Sequence, residues 1–287
     1  MKISTETGSI SQHVGIEKAV ELIAKAGFDA FDFSLTDMVK YDYKNKCVAE
    51  NDSPLAKPDY LKFARKIKGI AEDNGIVCNQ SHAAFPVSIP EIRDSLKRAI
   101  ECTAEAGGEI CVIHPDNNKS AIENAEMYLE LLPFAKECGV KIATENMWNW
   151  NYEWEHPAPA ACSHHTDFLA HIEAVNDDYF VACLDIGHAE LLGLDTSAVS
   201  MIETLKNHIQ ALHIHDVDRL NDNHQIPGCL NVNFSAIVKT LKKIDYSGYF
   251  TLEPNGYIAK CETENIFEGV LALKNSVRHL ADMYEKL

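Results

Sequence analysis

Short apolar runs alternate along the whole chain with longer segments of helical periodicity. The apolar runs predict strands, because continuous Val, Ile, Leu and Ala are typical of strands buried on both faces of a parallel sheet. These predicted strands lie at residues 2–7, 30–34, 76–80, 110–113, 141–144, 181–184, 210–214 and 249–252. Eight strand–helix units with no linker between them favour a closed (β/α)8 barrel, an α/β fold, over an open doubly wound sheet. We therefore predict a single TIM barrel domain over residues 1–287.

Apolar residues spaced three or four positions apart predict the helices that follow these strands. Gly27 and Gly139 each stand directly after such a segment, as glycines that end helices often do. The predicted helices cover residues 16–26, about 58–74, 92–106, 122–138, 167–175, 197–208, 237–243 and 262–284.

The last four predicted strands each carry a carboxylate or an imidazole close to or directly after the strand end: Glu145, Asp185, His213 and Glu253. Strands buried on both faces should be apolar, so polar groups at one strand end after another need a common partner. In a (β/α)8 barrel these strand ends meet at the face that carries the active site. Three carboxylates and an imidazole suit a hard divalent cation. Mn²⁺ is the first expectation, with Mg²⁺, Co²⁺ and Zn²⁺ as alternatives.

Further polar residues follow the strands or lie in the loop after the seventh one. They are His82, His114, His188, His215, Asp216, Arg219, Asp222 and His224. Because side chains alternate between the two faces of a strand, His213 and His215 share one face. The spacing alone leaves open which of these two histidines is a metal ligand.

Charge and composition narrow the classes of partner. The formal charge of −17, from 26 basic and 43 acidic residues, opposes binding to a polyanion, so nucleic acid is an unfavourable partner. Nine cysteines without a C-x-x-C pair are typical of core thiols in a reducing compartment. No apolar run approaches the roughly 18 residues of a membrane span, and nothing resembles a signal peptide. We therefore expect a cytoplasmic protein that does not enter membranes.

The ordered motifs at the strand ends resemble those of the xylose-isomerase-like superfamily of (β/α)8 barrels. By resemblance to its ketose 3-epimerases, Glu145, Asp185, His213 and Glu253 would bind the metal, and both glutamates would act as acid and base. The D-x-x-H motif of that group matches Asp185 and His188. Its substrate-contacting Arg, six residues after the metal-binding His, matches Arg219 and favours His213 as the ligand. One position differs, because Asn151 stands where the epimerases carry a substrate-contacting Glu.

A second resemblance is to endonuclease IV, which belongs to the same superfamily and uses nine ligands for three zinc ions. Its pattern matches His82, His114, Glu145, Asp185, His188, His213, Asp222, His224 and Glu253. The resemblance implies additional metal ions bound by His82, His114, His188, Asp222 and His224. It also implies an alternative activity, metal-dependent cleavage of a phosphodiester in abasic DNA.

All three tryptophans lie in the segment after Glu145, where Trp148 in particular could form a wall of the pocket. We expect a metal-dependent isomerase or epimerase of a sugar or sugar derivative. It would act by proton abstraction next to a carbonyl through a metal-stabilised enediolate, with Glu145 and Glu253 as the acid–base pair. The substrate-binding residues would be His82, His114, His188, Arg219 and Trp148. A non-catalytic sugar-binding barrel is the remaining alternative, and self-association is left open.

Overall fold

The chain folds around eight parallel strands, as the computed structural model of residues 1–42 and 44–287 shows. The strands are β1 (Ile3–Thr5), β2 (Ala30–Ser34), β3 (Val77–His82), β4 (Ile110–Val112), β5 (Lys141–Glu145), β6 (Phe180–Asp185), β7 (Ile209–His213) and β8 (Phe250–Leu252). Strands β2 to β7 form one six-stranded sheet in sequence order, and β1 pairs with β8 in a second, two-stranded sheet. All of these pairings are parallel.

Two isolated bridges join the two sheets into a ring. Glu6 pairs with Asp32 between the ends of β1 and β2, and Ile214 pairs with Leu252 between β7 and β8. The eight strands therefore close a barrel, and the predicted TIM barrel fold is confirmed. Ring closure brings the residues after β1 and β2 next to those after β7 and β8.

Helices pack around the outside of the barrel and cap its ends. The α-helices are Gly8–Val14, Ile16–Ala26, Tyr60–Asp73, Pro90–Ala106, Ala121–Cys138, His165–Val175, Ile186–Ala189, Ala198–Leu205, Phe234–Lys243, Asn255–Ile258 and Ile266–Glu285. Short 3₁₀ turns cover Thr36–Met38, Pro54–Ala56, Lys206–His208 and Thr263–Asn265. No helix in the described part of the chain is long and apolar enough to cross a membrane.

The structure adds elements that the hydrophobic pattern did not predict. Two antiparallel hairpins, Tyr41–Asp42 with Cys47–Val48 and Asn149–Asn151 with His156–Ala158, lie in segments expected to be loops. Their strands are two or three residues long, too short to carry an alternating apolar pattern. The helix Gly8–Val14 was missed for a similar reason, since only Ser9 and Ile10 are buried in it.

Small apolar side chains fill the barrel below the site. Ala143, Cys183 and Ala211 are buried together, and each lies two residues before a polar residue at the end of its strand. Side chains two residues apart on a strand share a face, so Glu145, Asp185 and His213 point to the same interior. The larger apolar cluster lies between the strands and the surrounding helices.

Candidate metal centre

Four side chains from the ends of successive strands converge in the mouth of the barrel: Glu145, Asp185, His213 and Glu253. Glu145, Asp185 and His213 are the last residues of β5, β6 and β7, and Glu253 directly follows β8. One ligand atom from each lies within 4.8 Å of the others. Nδ1 of His213 is 3.1 Å from Oε2 of Glu145 and 3.7 Å from Oε2 of Glu253. We call these four residues the central group.

A second group shares Glu145 with the first and adds His82 from the end of β3 and His114 from the loop after β4. Oε2 of Glu145 lies 3.5 Å from Nε2 of His82 and 3.3 Å from Nε2 of His114. The two Nε2 atoms are themselves 2.9 Å apart. Phe85 stacks on the ring of His114 with a centroid separation of 4.6 Å and covers this group, which we call the His82 group.

A third group, the His188 group, gathers His188, His215, Asp222 and His224. Oδ2 of Asp222 lies 3.2 Å from Nε2 of His188 and 3.0 Å from Nε2 of His224. Asp185 positions His188. Its carboxylate accepts a hydrogen bond of 2.6 Å from the His188 backbone N–H and so caps the short helix Ile186–Ala189. The nine residues matched to endonuclease IV therefore come together within these three groups.

Several buried polar atoms in these groups have no hydrogen-bond partner among the described residues. They include Oε2 of Glu145, Nδ1 of His213 and Oδ1 of Asp222. A buried polar atom without a partner is costly, since it has lost its hydration without gaining a hydrogen bond. A divalent cation would satisfy the Glu145 and His213 atoms together. The donor set of the central group therefore fits a metal ion.

The two histidines that the sequence left unresolved have different neighbours. His213 belongs to the central group, and its second nitrogen, Nε2, lies 3.2 Å from Oδ2 of Asp32. Nε2 of His215 lies 3.0 Å from both carboxylate oxygens of Asp185. The His215 ring stacks on the ring of His224, with 3.9 Å between the ring centroids. The His215 ring fits only because residue 187 is glycine, since a Cβ at Gly187 would lie 2.0 Å from the ring.

In the metal-free protein, the imidazoles balance the buried carboxylates. Burial alone would raise the pKa of Glu145, but the imidazoles of His213 and His114 hold it well below its usual range. Burial likewise works against protonation of His188, but the carboxylates of Asp185 and Asp222 raise its pKa well above the usual value. The carboxylate of Glu145 therefore stays ionised, and the protonated His188 imidazole supplies positive charge beside Asp185 and Asp222.

Two cavities open on these three groups. The larger, about 540 Å³, contacts all three groups, with Trp148, Asn117 and Asn149 along its wall. The smaller, about 330 Å³, lies on the side of β1 and β2. The two cavities share His82, Phe85, Glu253 and Asn255. No lysine or arginine is among the described residues that line either cavity.

Of the other predicted substrate-binding residues, Trp148 lines the larger cavity and Arg219 does not. The Trp148 ring lies 6.5 Å from that of His188. The side chain of Arg219 is 44% exposed, and its Nε donates to the backbone carbonyl of Glu190 at 3.3 Å. Asn151 caps the turn of its hairpin by accepting from the backbone N–H groups of Glu153 and Trp154.

The family model for the xylose isomerase-like TIM barrel matches residues 20–283. The chain belongs to this family. An uncharacterized protein of Methanocaldococcus jannaschii, MJ1311, is 24% identical over 284 residues, which cover 91% of this chain and 86% of the relative. The family assignment made from the strand-end motifs is therefore confirmed.

Two solved structures superpose on almost the whole chain. A D-tagatose 3-epimerase-like protein has a TM-score of 0.73 and 20% identity, over 100% of this chain and 99% of that one. The D-psicose 3-epimerase of Clostridium cellulolyticum H10, solved with D-tagatose, has a TM-score of 0.71 and 17% identity, over 98% and 99%. At this level of identity the likeness establishes the shared fold.

Three residues that support the site in this xylose isomerase-like barrel were not predicted. Asp32 contacts His213 from across the barrel. Asn146 accepts from the backbone N–H of Asp185 and donates to its carbonyl, and so fixes the end of β6 beside β5. Glu6 follows β1 and lines the smaller cavity. A signal existed for Asp32, because a carboxylate between Phe31 and Phe33 in a buried strand needs a partner inside the protein.

Proposed function

We propose that the protein is a metal-dependent isomerase or epimerase that moves a proton next to the carbonyl of a sugar or sugar derivative. The observation that carries this proposal is the central group, in which Glu145 and Glu253 border a 540 Å³ cavity. Nδ1 of His213, which has no hydrogen-bond partner among the described residues, lies close to both glutamates. The aromatic and amide side chains of that cavity suit the C–H surfaces and hydroxyls of a sugar.

Glu145, Asp185, His213 and Glu253 would hold one divalent metal ion. When bound, such an ion supplies Lewis-acid stabilisation of negative charge that develops on substrate oxygens. Mn²⁺ remains the first expectation for this set, because carboxylate ligands outnumber imidazole. Further ions in the His82 group and the His188 group are part of the proposal, since each gathers at least three ligand atoms within 4.8 Å.

Of the two glutamates, Glu253 is the better placed to remove the proton from the substrate. Its side chain is 16% exposed and borders both cavities, so a substrate in either one can reach it. Glu145 also borders the larger cavity but is only 1% exposed and lies among imidazoles. We propose Glu253 as the group that removes the proton and Glu145 as the second acid–base group.

His188 and Trp148 would hold the substrate against these two carboxylates. His188 lies between Glu145 and Asp222, where it borders the larger cavity and can contact a substrate oxygen. Trp148 would place its indole face against the C–H face of the sugar. A contact from Arg219 needs the guanidinium to leave Glu190 and turn toward the cavity.

Hydrogen exchange with solvent tests the proposal most directly. We expect metal-stripped protein to regain, on addition of Mn²⁺, the exchange of deuterium from D₂O into a ketose carbon next to the carbonyl, followed by NMR. Glu253→Gln should reduce the exchange rate by roughly 10²–10⁴-fold, the usual contribution of one acid–base group. Glu264→Gln, at an exposed position in the turn Thr263–Asn265, is the matched control. Sugar binding without exchange would point to a non-catalytic barrel.

Phosphodiester cleavage is a second candidate, because the nine matched ligands gather in three groups. The absence of lysine and arginine from the described cavity linings, with the charge of −17, disfavours it. Incision of an abasic duplex that is lost in Glu145→Ala would establish this activity instead. No incision under conditions that support ketose exchange would exclude it.

A further inference from the structure

The smaller cavity lies beside the central group, and nothing in the proposed proton transfer uses most of it. Its volume is about 330 Å³, within the usual range for small-molecule sites. Glu6, Gln12, Ser34 and Thr36 line it, and it shares Glu253 with the larger cavity. We call it the Glu6 chamber.

We propose that the Glu6 chamber binds the uncharged, hydroxyl-bearing end of the substrate, so that the substrate is an unphosphorylated sugar or polyol derivative. This inference rests on the proposed function and deepens it by naming the substrate class. The carbonyl end would lie at Glu145 and Glu253 in the larger cavity. The remote hydroxyls would extend past the shared wall of His82, Phe85 and Asn255.

The charges around the chamber disfavour a phosphate. Glu6, Asp32 and Glu253 line it, and the described lining contains no lysine or arginine to neutralise a dianion. A phosphate placed there would lose its hydration without gaining a cationic side chain to offset that loss.

The helix that begins next to the chamber gives no compensation. Glu6 already occupies the start of the helix Gly8–Val14, where its carboxylate accepts from the Ser9 backbone N–H at 2.9 Å and from the Ser9 hydroxyl. A protein carboxylate therefore stands where exposed N–H groups could otherwise attract an anion.

The carboxylates of the chamber do not require a cationic ligand either. Burial raises the pKa of Glu6 to about 7, so much of it is uncharged near neutral pH. Asp32 accepts from Nε2 of Gln80 at 2.9 Å and lies beside His213. Its other oxygen, Oδ1, is buried without a partner among the described residues. The side chain is 0% exposed. A hydroxyl, which both donates and accepts, matches this lining better than a cation or an anion.

Two substitutions alter the chamber without touching the proposed metal ligands. Gly8→Ala narrows it, because an added Cβ would lie 2.7 Å from Oγ of Ser34 and 3.0 Å from Oε2 of Glu6. Ser34→Ala removes a hydroxyl from its wall. Ser235→Ala, at an exposed position of the helix Phe234–Lys243, is the matched control.

The test compares the Mn²⁺-loaded proteins on the four D-ketohexoses, the ketotetrose erythrulose, and the 6-phosphates of D-fructose and D-tagatose. We expect Gly8→Ala and Ser34→Ala to raise KM for the best ketohexose about tenfold, the size of one lost hydrogen bond. KM for erythrulose, which is too short to fill the chamber, should change less than twofold. The phosphate esters should bind at least tenfold more weakly than the free sugars.

Equal or tighter binding of a 6-phosphate would overturn the inference, and so would an equal change in KM for the ketohexose and erythrulose. Either result would leave the proposed function intact. Absence of exchange with every ketose would instead overturn the proposed function. In that case, ligand-observed NMR on the same panel tests separately whether the chamber binds sugar. Weaker ketohexose binding in Gly8→Ala would support the inference, and unchanged binding would contradict it.

Discussion

The carboxylate of Asp32 lies 3.2 Å from Nε2 of His213, on the side of the imidazole opposite the central group. Both residues are fully buried. A carboxylate on the second nitrogen of a metal-binding histidine fixes the ring orientation and tautomer. Here it leaves Nδ1 of His213 free to face Glu145 and Glu253. Asp32 is therefore a positioning residue for the proposed ligand.

We predict that Asp32→Asn weakens metal binding about 10–100-fold, as loss of such a partner typically does. The asparagine keeps the volume of the side chain but removes the charge that favours the required tautomer. Titration of the stripped protein with Mn²⁺ or Co²⁺ measures the affinity, and the Co²⁺ absorption spectrum reports changed ligand geometry. Asp37→Asn, at an exposed position after β2, is the control. Unchanged affinity and spectrum in Asp32→Asn would remove this role.

The fold could be predicted from the sequence because the signals for its strands and helices lie within short segments of the chain. Each barrel strand is an apolar run, and the helix Ile16–Ala26 has the predicted bounds because its buried residues recur with helical spacing. The last four strands end at or next to a carboxylate or an imidazole, and ligand binding is the main reason for such residues at buried strand ends. The hairpin around Trp150 lacked such a signal, because its few paired residues are all partly exposed or proline.

Contacts across the barrel were harder to predict. His213 and Asp32 are 181 residues apart in the chain, and only ring closure brings β2 close to β7. The direction of Arg219 depends on the loop after β7, whose backbone adopts φ of +77° at that residue. Spacing from His213 gave no information about that turn. Glu6 was missed because the sequence did not predict a helix that begins two residues later.

Metal binding should strengthen as the pH rises. Burial alone would lower the pKa of His224, but the carboxylates of Asp222 and Glu253 raise it to about 10. The same opposition leaves the pKa of His213 well above its usual value, because the carboxylates of Glu145 and Glu253 lie beside it. A metal ion must displace these protons, so each proton released adds about tenfold in affinity per pH unit.

Calorimetric titration with Mn²⁺ in two buffers of different ionisation enthalpy measures the protons released. We expect at least one proton per metal ion between pH 6 and pH 8, and weaker binding at the acidic end. Affinity that is the same at pH 6 and pH 8 would contradict protonated imidazoles in the metal-free site.

A matched pair of glycine substitutions tests the packing of His215. Gly187→Ala should destabilise the protein by about 1–3 kcal/mol, because the new Cβ would lie 2.0 Å from the His215 ring and no small shift relieves the clash. Gly69→Ala, inside the helix Tyr60–Asp73 with nothing within 4 Å of the added Cβ, should stabilise it by about 0.5–1 kcal/mol. Urea unfolding of the metal-free proteins measures both. Equal effects of the two substitutions would show that His215 can move aside freely.

The buried carboxyl of Glu6 should make stability depend on pH. Burial raises its pKa from the ordinary 4.5 to about 7, so the folded protein holds this proton more tightly than the unfolded chain. Its contribution is therefore most favourable below pH 4.5 and is lost as the pH rises through 7. One pKa unit corresponds to about 1.4 kcal/mol, which gives a total loss of roughly 3 kcal/mol.

Glu6→Gln removes this titration while keeping a side chain of the same shape at the chamber wall. We expect the variant to gain stability relative to the unmodified protein as the pH is raised from 5 to 8, measured by urea unfolding at each pH. Glu264→Gln, which changes the same charge at an exposed position, should show no such trend. A constant difference between Glu6→Gln and the unmodified protein across this range would mean that Glu6 is ionised in the folded state at pH 5. That result would also remove the argument that Glu6 is largely uncharged in the chamber and would favour a cationic ligand there.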